Sequence, residues 1–345
     1  MQLVAYGAQD IYLTGNPQIT FFKVVYRRHT NFSMEAIEQT FNGTPDWGKK
    51  VVCTVSRNGD LIHRIYLQVG LPAITAQTSD YARWVNWVGH ALIKNVEVEI
   101  GGQRIDKHYG DWLHIWNELT QTAGKQAGYA NMVGNVDKLY RPVPAAGTTV
   151  DGVTLFIPLQ FWFCRNPGLA LPLIALQYHE VKINLEFRSF EECVGYKSSV
   201  PATVSLRSAS LYVDYIYLDT DERRRFAQVS HEYLIEQLQF TGDESVNQTN
   251  VKVKLNFNHP CKELVWVVQL DKCVLAAPPG ALVAGRQWFN YTDRVDVTPY
   301  STNDPLTMNN ILDGVIDTSP GDNRPQNAFT FGIGGSAKGN DVVAE

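Results

Sequence analysis

The sequence predicts an all-β protein, a β-sandwich or jelly roll with few short helices. Three observations support this prediction: apolar and polar residues alternate in many short segments, aromatic and β-branched residues dominate those segments, and Gly, Pro and Asn cluster between them. Because successive strand side chains point to opposite faces of a sheet, each alternating segment places one face in a core and the other in solvent.

The clearest alternation is in residues 182–188, Lys-Ile-Asn-Leu-Glu-Phe-Arg, whose Ile, Leu and Phe share one face. Residues 96–100 and 251–257 repeat this pattern of apolar and polar positions. Shorter or less regular runs predict further strands on the same grounds. These are residues 19–26, 35–41, 50–56, 61–69, 154–161, 204–218, 233–240 and 263–269.

Helical patterns are scarce. A helix is predicted over residues 111–122, with Asp111 as its cap. Trp112, Trp116 and Leu119 share one face of it and are expected to pack on the sandwich. A second short helix is predicted over residues 221–229, with acids in its first turn followed by three arginines. We interpret these arginines as a solvated or locally paired helix face rather than a phosphate site.

The order of these elements predicts a division of the chain. Roughly eight predicted strands come before the second helix, which is enough for one eight-stranded jelly roll. That helix then acts as a connector, and strands resume after it. We therefore assign residues 1–218 to an N-terminal arm plus a first jelly roll, 219–230 to a connector and 231–345 to a second domain.

Composition excludes several classes of protein. The formal charge of −5, from 30 basic and 35 acidic residues, gives no electrostatic signature of direct nucleic-acid binding. The five cysteines form no Cys-x-x-Cys pair, so we expect buried free thiols in a reducing compartment. No signal-peptide pattern follows Met1, and no uncharged stretch reaches the ~18 residues of a membrane span. We expect an intracellular, soluble protein.

A search for chemistry gives no catalytic motif. The chain has no Gly-Lys-Ser/Thr phosphate loop, no His-Glu-x-x-His or Cys/His metal spacing, and no Gly-x-Ser-x-Gly elbow. We predict no catalytic residue, no cofactor and no metal site, although histidines brought together in space stay an alternative. Long connections at residues 72–91 and 106–150 are candidate functional loops, and 124–147 is predicted to be exposed or inter-subunit.

Two weaker patterns are relevant to the attachment or binding of carbohydrate. Asn-x-Ser/Thr triplets begin at Asn31, Asn42, Asn247 and Asn290, and they would accept glycans in a secreted protein, with chance as the default interpretation. The tryptophans favour core filling, but they would also suit sugar platforms. A carbohydrate-binding or carbohydrate-active β-sandwich protein is therefore the alternative function.

The opening of the chain is its most distinctive segment. Residues 3–23 read Leu-Val-Ala-Tyr-Gly-Ala-Gln-Asp-Ile-Tyr-Leu-Thr-Gly-Asn-Pro-Gln-Ile-Thr-Phe-Phe-Lys, which strongly resembles the start of the major capsid proteins of nucleocytoplasmic large DNA viruses. Residues 26–33, 214–227 and 231–239 are similar to the same family. The resemblance runs from residue 2 to about residue 270.

This resemblance implies a structural protein with two tandem eight-stranded jelly rolls, no enzymatic activity and no cofactor. It implies a homotrimer with pseudo-sixfold outline that contacts neighbouring capsomers and minor capsid proteins under an icosahedral shell, and reaches an internal viral membrane through those minor proteins. Such a late protein would be assembled in the host cytoplasm and would reside in the virion. Residues 2–18 are expected to lie along the inner base of the capsomer. Because only 115 residues follow the connector, we expect an incomplete or divergent second roll.

Overall fold

The computed structural model describes residues 30–76, 82–140, 149–196, 200–246, 250–274 and 286–291, and its regular structure is dominated by antiparallel strands. Most strands lie before residue 219 and match runs of alternating or β-branched sequence. The strands are β1 (Phe32–Gln39), β2 (Lys50–Thr54), β3 (Leu61–Gly70), β4 (Ile74–Thr75), β5 (Ala82–Trp84), β6 (Ile93–Ile100), β7 (Gln103–Tyr109), β8 (Thr149–Val150), β9 (Thr154–Pro158), β10 (Leu171–Pro172), β11 (Val181–Phe187), β12 (Val194–Tyr196) and β13 (Ser208–Leu218).

Two antiparallel sheets form a sandwich with eight strand positions. One sheet has the order β1-β13-β3, and β9 and β10 share the position on the far side of β3. The other sheet has the order β2-β11-β6-β7. Strands that follow one another in the chain repeatedly change sheets, which is the arrangement of a jelly roll. We call residues 30–218 the first roll.

The core lies between these two sheets. Along β11, buried and half-buried residues alternate without exception, and Ile183, Leu185 and Phe187 point inward as their spacing predicts. The largest fully buried side chains include Trp84 and Trp162, which confirms that tryptophans fill this core. Burial of so many large apolar side chains, each contributing about 1.5–3 kcal/mol, explains why the first roll needs no disulfide.

The cysteines are buried, as expected, at four of five positions. Cys53, Cys164, Cys193 and Cys273 are buried, and burial raises the pKa of the Cys53 thiol to about 11. Cys261 is exposed, contrary to the prediction, because it follows the sandwich in a segment with little packing around it.

Short helices occupy the connections of the first roll and two positions after it. They are α1 (Val88–Ala91), α2 (Gly110–Thr120), α3 (Ala123–Val133), α4 (Asp137–Tyr140), α5 (Trp162–Arg165), α6 (Phe190–Cys193), α7 (Thr220–Gln228) and α8 (Asp271–Val274), with a 3₁₀ turn at Pro167–Leu169. Within the described part of the chain, none of these helices has the length and apolar character needed to cross a bilayer.

The long connections are more regular than predicted. Residues 72–91 contain β4, β5 and the buried α1, so the described part of this connection belongs to the core instead of forming a free loop. The stretch predicted as a loop, 124–147, begins within α3, whose Tyr129 and Val133 are buried. The sequence concealed this helix because its two glycines are poor helix formers. The Gly/Ala/Pro run that follows lies outside the described residues.

Three strands predicted after the junction are absent from the described structure. Residues 233–240, 251–257 and 263–269 have irregular backbone, and side chains such as Val253 and Leu255 are exposed. A strand needs a hydrogen-bonded neighbour for its backbone and a packed layer for its apolar face. Among the described residues, none of these segments has a ladder partner, and many of their apolar side chains are exposed. The predicted strand at 19–26 lies outside the described residues.

Candidate functional site

The chain leaves the first roll through a helix that is held by one buried carboxylate. Asp60, between β2 and β3, accepts a hydrogen bond from the backbone N–H of Leu218 at 2.8 Å and from Nη2 of Arg223 at 3.0 Å. Its second oxygen lies 3.0 Å from Nε of Arg223. Because Leu218 ends β13 and Arg223 lies in α7, Asp60 fixes the direction in which the helix starts.

The start of α7 follows ordinary capping rules. Asp219 accepts a hydrogen bond from Thr220 N–H at 2.7 Å, and two acids occupy the first turn, where the positive end of the helix dipole favours them. Arg223 is paired, but with the distant Asp60 rather than with the neighbouring acids of its own helix. No local pattern could have found this pair, because 163 positions separate the two residues.

A small apolar cluster supports the helix from the other side. Leu61, Ala170 and Ile216 are buried outside the main core, and Leu218 and Phe226 pack against them. The ring of His231 stacks on Phe226 with centroids 5.1 Å apart. Together with Asp60, this cluster holds both ends of α7 against the outer surface of the first sheet.

Beyond the helix, the chain runs along the edge strand β7. The backbone N–H of Leu238 donates to Oδ1 of Asp106 at 3.2 Å, and the side-chain amide of Gln237 donates to the Ile105 carbonyl at 2.5 Å. The rings of Phe240 and Tyr109 lie 5.2 Å apart. We call this contact between β7 and residues 236–240 the seam.

Ionic contacts add to the seam. Glu236 lies 3.2 Å from Nη1 of Arg165 and also pairs with Lys262, and these two cations, Lys262 foremost, hold the pKa of Glu236 below its usual range. The guanidinium of Arg165 also lies 4.2 Å from the ring centre of Trp116. The seam therefore joins three parts of the chain: the first roll, residues 236–240 and the segment around Lys262.

Beneath the seam, a histidine–carboxylate pair is enclosed. His108 Nε2 lies 2.8 Å from Oδ2 of Asp106, both side chains are fully buried, and Phe161 stacks on the His108 ring with centroids 4.7 Å apart. The other oxygen of Asp106, Oδ1, accepts from the backbone N–H groups of Lys107 and Leu238. The buried pair thus orients the acceptor that receives the second half of the chain.

The helix α2 is present as predicted, but its predicted buried face is wrong. Leu113, His114 and Asn117 are its buried residues, whereas Trp112 and Trp116 are half-buried and Leu119 is 63% exposed. The two faces are neighbours on the helical wheel, and tryptophan bulk made the wrong one look more apolar. Trp116 instead receives the Arg165 guanidinium.

The predicted glycosylation residues lie in different environments. Asn31 and Asn42 are exposed, and Asn247 lies outside the described residues. Asn290 is half-buried, and its amide donates to Oε1 of Gln287 at 2.6 Å. Glycosylation at any of them stays a prediction.

The described residues contain no cluster of three or more His, Cys, Asp or Glu side chains suited to a metal ion. Of the tryptophans, Trp84 and Trp162 are buried in the core, and Trp266 is exposed after the junction. What the arrangement provides is contact: a sandwich, a fixed exit helix and a polar seam.

Both halves of the chain match family models. A model described as "Major capsid protein N-terminus" matches residues 20–219, and one described as "Large eukaryotic DNA virus major capsid protein" matches residues 222–310. The chain belongs to the major capsid protein family of large eukaryotic DNA viruses. The predicted resemblance of the chain to that family is confirmed.

Capsid proteins from several viruses are similar to this chain. It is 57% identical over 336 residues to the major capsid protein of Phaeocystis pouchetii virus, covering 87% of this chain and 65% of the relative. It is 70% identical over 267 residues to that of Pyramimonas orientalis virus, covering 77% of this chain and 64% of the relative. The chain thus spans slightly less than two thirds of the length of these relatives.

Solved capsid structures share the fold. The quasi-atomic model of the PBCV-1 virus capsid is 42% identical, with a TM-score of 0.59, covering 70% of this chain and 57% of that chain. The Faustovirus major capsid protein, at 13% identity and a TM-score of 0.52, covers 64% of this chain and 60% of that chain and supports the fold alone. These neighbours are double jelly-roll capsid proteins, which confirms the predicted fold class.

Proposed function

We propose that the protein is the major structural subunit of the icosahedral shell of a large double-stranded DNA virus, and that it catalyses no reaction. The observation that carries this proposal is the similarity of both halves of the chain to proteins named major capsid proteins. Its activity would then be assembly, through surfaces built from the sandwich and its loops.

The geometry supports such a role. A jelly roll keeps its strands in two packed sheets and leaves its connections free to specialise for contact. The Asp60 contacts fix the angle at which the chain leaves the first roll, and a fixed angle is what two linked domains need to form one rigid tile. Three such two-part chains around a threefold axis would give a pseudo-sixfold outline and a homotrimer.

The wider assembly follows from this proposal. Residues 1–218, 219–230 and 231–345 would be arm plus first roll, connector and second roll. Neighbouring capsomers would be the principal partners, with minor capsid proteins beneath the shell and the internal membrane reached through them. Direct contact with nucleic acid is not expected from a chain of formal charge −5. The protein would be made late, assembled in the host cytoplasm and located in the virion.

Size-exclusion chromatography with in-line light scattering tests the proposal. Three copies of a 38.8 kDa chain should elute as a particle of about 116 kDa, with a hexagonal outline in negative stain. A monomer that retains oligosaccharide would overturn the proposal and favour the carbohydrate-binding alternative.

Deletion of residues 2–18 tests the proposed arm, which lies outside the described residues. Because the described core begins after residue 30, the first roll should stay folded by circular dichroism while shell assembly is impaired. Unchanged assembly would contradict a role for the arm in contacts between subunits.

A further inference from the structure

A closed pocket of aromatic rings lies among α1, α2 and α3. Trp87 and His90 stack in parallel with centroids 5.7 Å apart, and His114 meets the Trp87 ring at 5.1 Å. The two histidine rings are 5.8 Å from each other, and His90 Nε2 lies 2.8 Å from the Tyr129 hydroxyl oxygen. We call these four residues the histidine pocket.

If either imidazole gained a proton, its new N–H group would have no hydrogen-bond acceptor in the pocket. His90 is 0% exposed and His114 is 5% exposed, and the Nδ1 atom of each has no hydrogen-bond partner among the described residues. One nitrogen of His90 is satisfied by Tyr129. A second N–H on either ring would therefore be buried without a partner, which is costly for a charged group.

Backbone strain marks the same pocket. Trp87 has φ 54° and ψ 44°, the left-handed region, which bulky residues rarely adopt. It is the sole non-glycine residue with positive φ in the described part of the chain. Strain of this kind persists where the surrounding structure fixes it, and it concentrates at sites that bind or switch. Here it holds the indole ring against both histidines.

A distant segment covers the pocket. The ring of Phe289 stacks on His114 with centroids 4.4 Å apart and meets His90 edge-on at 6.0 Å. We call residues 286–291, which carry Phe289, the strap. In sequence, the strap comes after the junction and the seam, yet it docks on the first roll.

Polar contacts hold the strap on both sides of Phe289. The Arg188 guanidinium lies 3.7 Å from the ring centre of Trp288, whose Nε1–H donates to the Glu192 carbonyl at 2.8 Å. Arg286 pairs with the Glu192 carboxylate at 3.1 Å. The Gln269 amide donates to three carbonyl oxygens of the strap at 2.9, 3.1 and 3.2 Å.

We propose that the strap is a proton-sensitive latch: it stays docked while His114, the imidazole on which Phe289 stacks, is neutral, and it leaves the pocket when that imidazole gains a proton. This device lies beyond the proposed structural role, because it would change how residues after the junction are attached to the first roll. It needs no bound ligand, only the exposure of the pocket that accompanies release of the strap.

Protonation of the pocket histidines opposes docking of the strap, as the latch requires. Burial lowers the pKa of His114 to about 4, and burial together with the nearby His114 holds the pKa of His90 well below its usual range. An exposed histidine has a pKa of about 6.5. The docked state therefore binds fewer protons, so docking is at full strength above about pH 6.5 and weakens as pH falls toward 4.

The other charges near the pocket do not reverse this direction. Glu118 is the carboxylate nearest His114, at 4.0 Å from Nε2, but its side chain is 58% exposed and solvent screens it. Asp111 is paired with Arg188 at 3.2 Å. The titratable and charged groups on the elements around the pocket include His90, Asp111, His114, Glu118, Lys125, Tyr129, Arg188, Glu191, Glu192, Asp243, Arg286 and Tyr291.

Hydrogen exchange of the full chain between pH 7.5 and 5 tests the latch. Protection factors of the strap amides, which remove the intrinsic pH dependence of exchange, should fall by about 30-fold at pH 5 if His114 alone returns to an ordinary pKa on release. Protection of β3 and β13 should stay constant. Strap protection that is the same at pH 7.5 and pH 5 would overturn the proposal.

His114→Phe separates titration from packing, because phenylalanine keeps the stack on Phe289 and cannot gain a proton. The variant should keep the strap protected at pH 5, whereas His179→Gln, at an exposed histidine outside the pocket, should release it as the wild type does. Release of the His114→Phe strap at the same pH as the wild type would overturn the proposal.

A second variant keeps the test decisive if His114→Phe does not fold. Phe289→Ala removes the ring that covers His114, so the pKa of His114, measured by exchange of its imidazole C2 proton, should rise from about 4 toward 6.5. An unchanged pKa of His114 in Phe289→Ala would show that the strap does not control its protonation and would contradict the latch.

Discussion

Residues 181–187 and residues 251–257 have the same alternating pattern and different structures. In β11, Ile183, Leu185 and Phe187 are buried, and the backbone pairs with β2 on one side and β6 on the other. In 251–257 the equivalent apolar side chains are largely exposed, and no ladder partner lies among the described residues. Alternation shows that a segment is able to form a strand. The neighbouring chain decides whether it does.

The same contrast extends to the two parts of the chain. The first roll contains nearly all of the described buried apolar residues, whereas residues after the junction expose many of theirs, including Leu234 and Trp266. The contacts that attach the later part are mainly polar: Asp60 with α7, the seam, and the strap. Stability should therefore depend strongly on the first roll and weakly on residues 231–274.

The largest expected effect is the loss of stability when a buried tryptophan of the first roll is truncated, and an exposed tryptophan after the junction provides the comparison. Trp84 is fully buried against Trp47 and Phe190, so Trp84→Ala should lower the free energy of unfolding by about 3–5 kcal/mol. Trp266 is 76% exposed, so Trp266→Ala should change it by less than about 0.5 kcal/mol. Urea unfolding followed by circular dichroism gives both values.

A further variant sharpens this comparison. Trp84→Phe keeps an aromatic ring and removes an indole N–H that has no acceptor among the described residues, so it should cost much less than Trp84→Ala. Equal losses for Trp84→Ala and Trp266→Ala would contradict the division into a packed and an unpacked part.

The fold of the first roll could be predicted largely from sequence, and its attachments could not. Periodicity in β11 indicates which residues face inward, because a sheet imposes a period of two whatever its neighbours are. The ion pair of Asp60 with Arg223 has no such local signature, nor has the stack of Phe289 on His114. These contacts depend on which distant segments the fold brings together.

The next largest effect should come from the buried carboxylate at the junction. Asp60→Ala removes the acceptor for Leu218 N–H and Arg223 and should cost about 1.5–3 kcal/mol, the range for hydrogen bonds to a charged group. Arg224→Gln, at an exposed position of the same helix, should change stability by less than about 0.5 kcal/mol. Thermal unfolding compares the two. A loss in Asp60→Ala no greater than in Arg224→Gln would show that the junction is not fixed by Asp60.

The smallest effect should be at the seam. Glu236 is about a third exposed, so Glu236→Gln should cost less than about 1 kcal/mol after solvent screening. Because its cationic neighbours lower the pKa of Glu236 in the folded chain, its contribution is present above the ordinary carboxyl pKa near 4.5 and is lost as pH falls below that.

Salt separates this ionic term from packing. Raising the salt concentration should weaken amide protection of residues 236–240 in the wild type and have less effect in Glu236→Gln. Glu232→Gln, at an exposed position of the same segment, serves as the control and should behave like the wild type. The same salt response in all three proteins would exclude an ionic contribution of Glu236.

Hydrogen exchange of the wild-type chain at neutral pH tests the central contrast most directly. Peptides from β3, β11 and β13 should be protected up to the level of global unfolding, because their backbone groups lie in ladders over a packed core. Peptides from residues 251–257 should exchange within a factor of ten of an unfolded chain. Equal protection of residues 181–187 and 251–257 would contradict the account, since it would mean that the second alternating segment is already paired and buried.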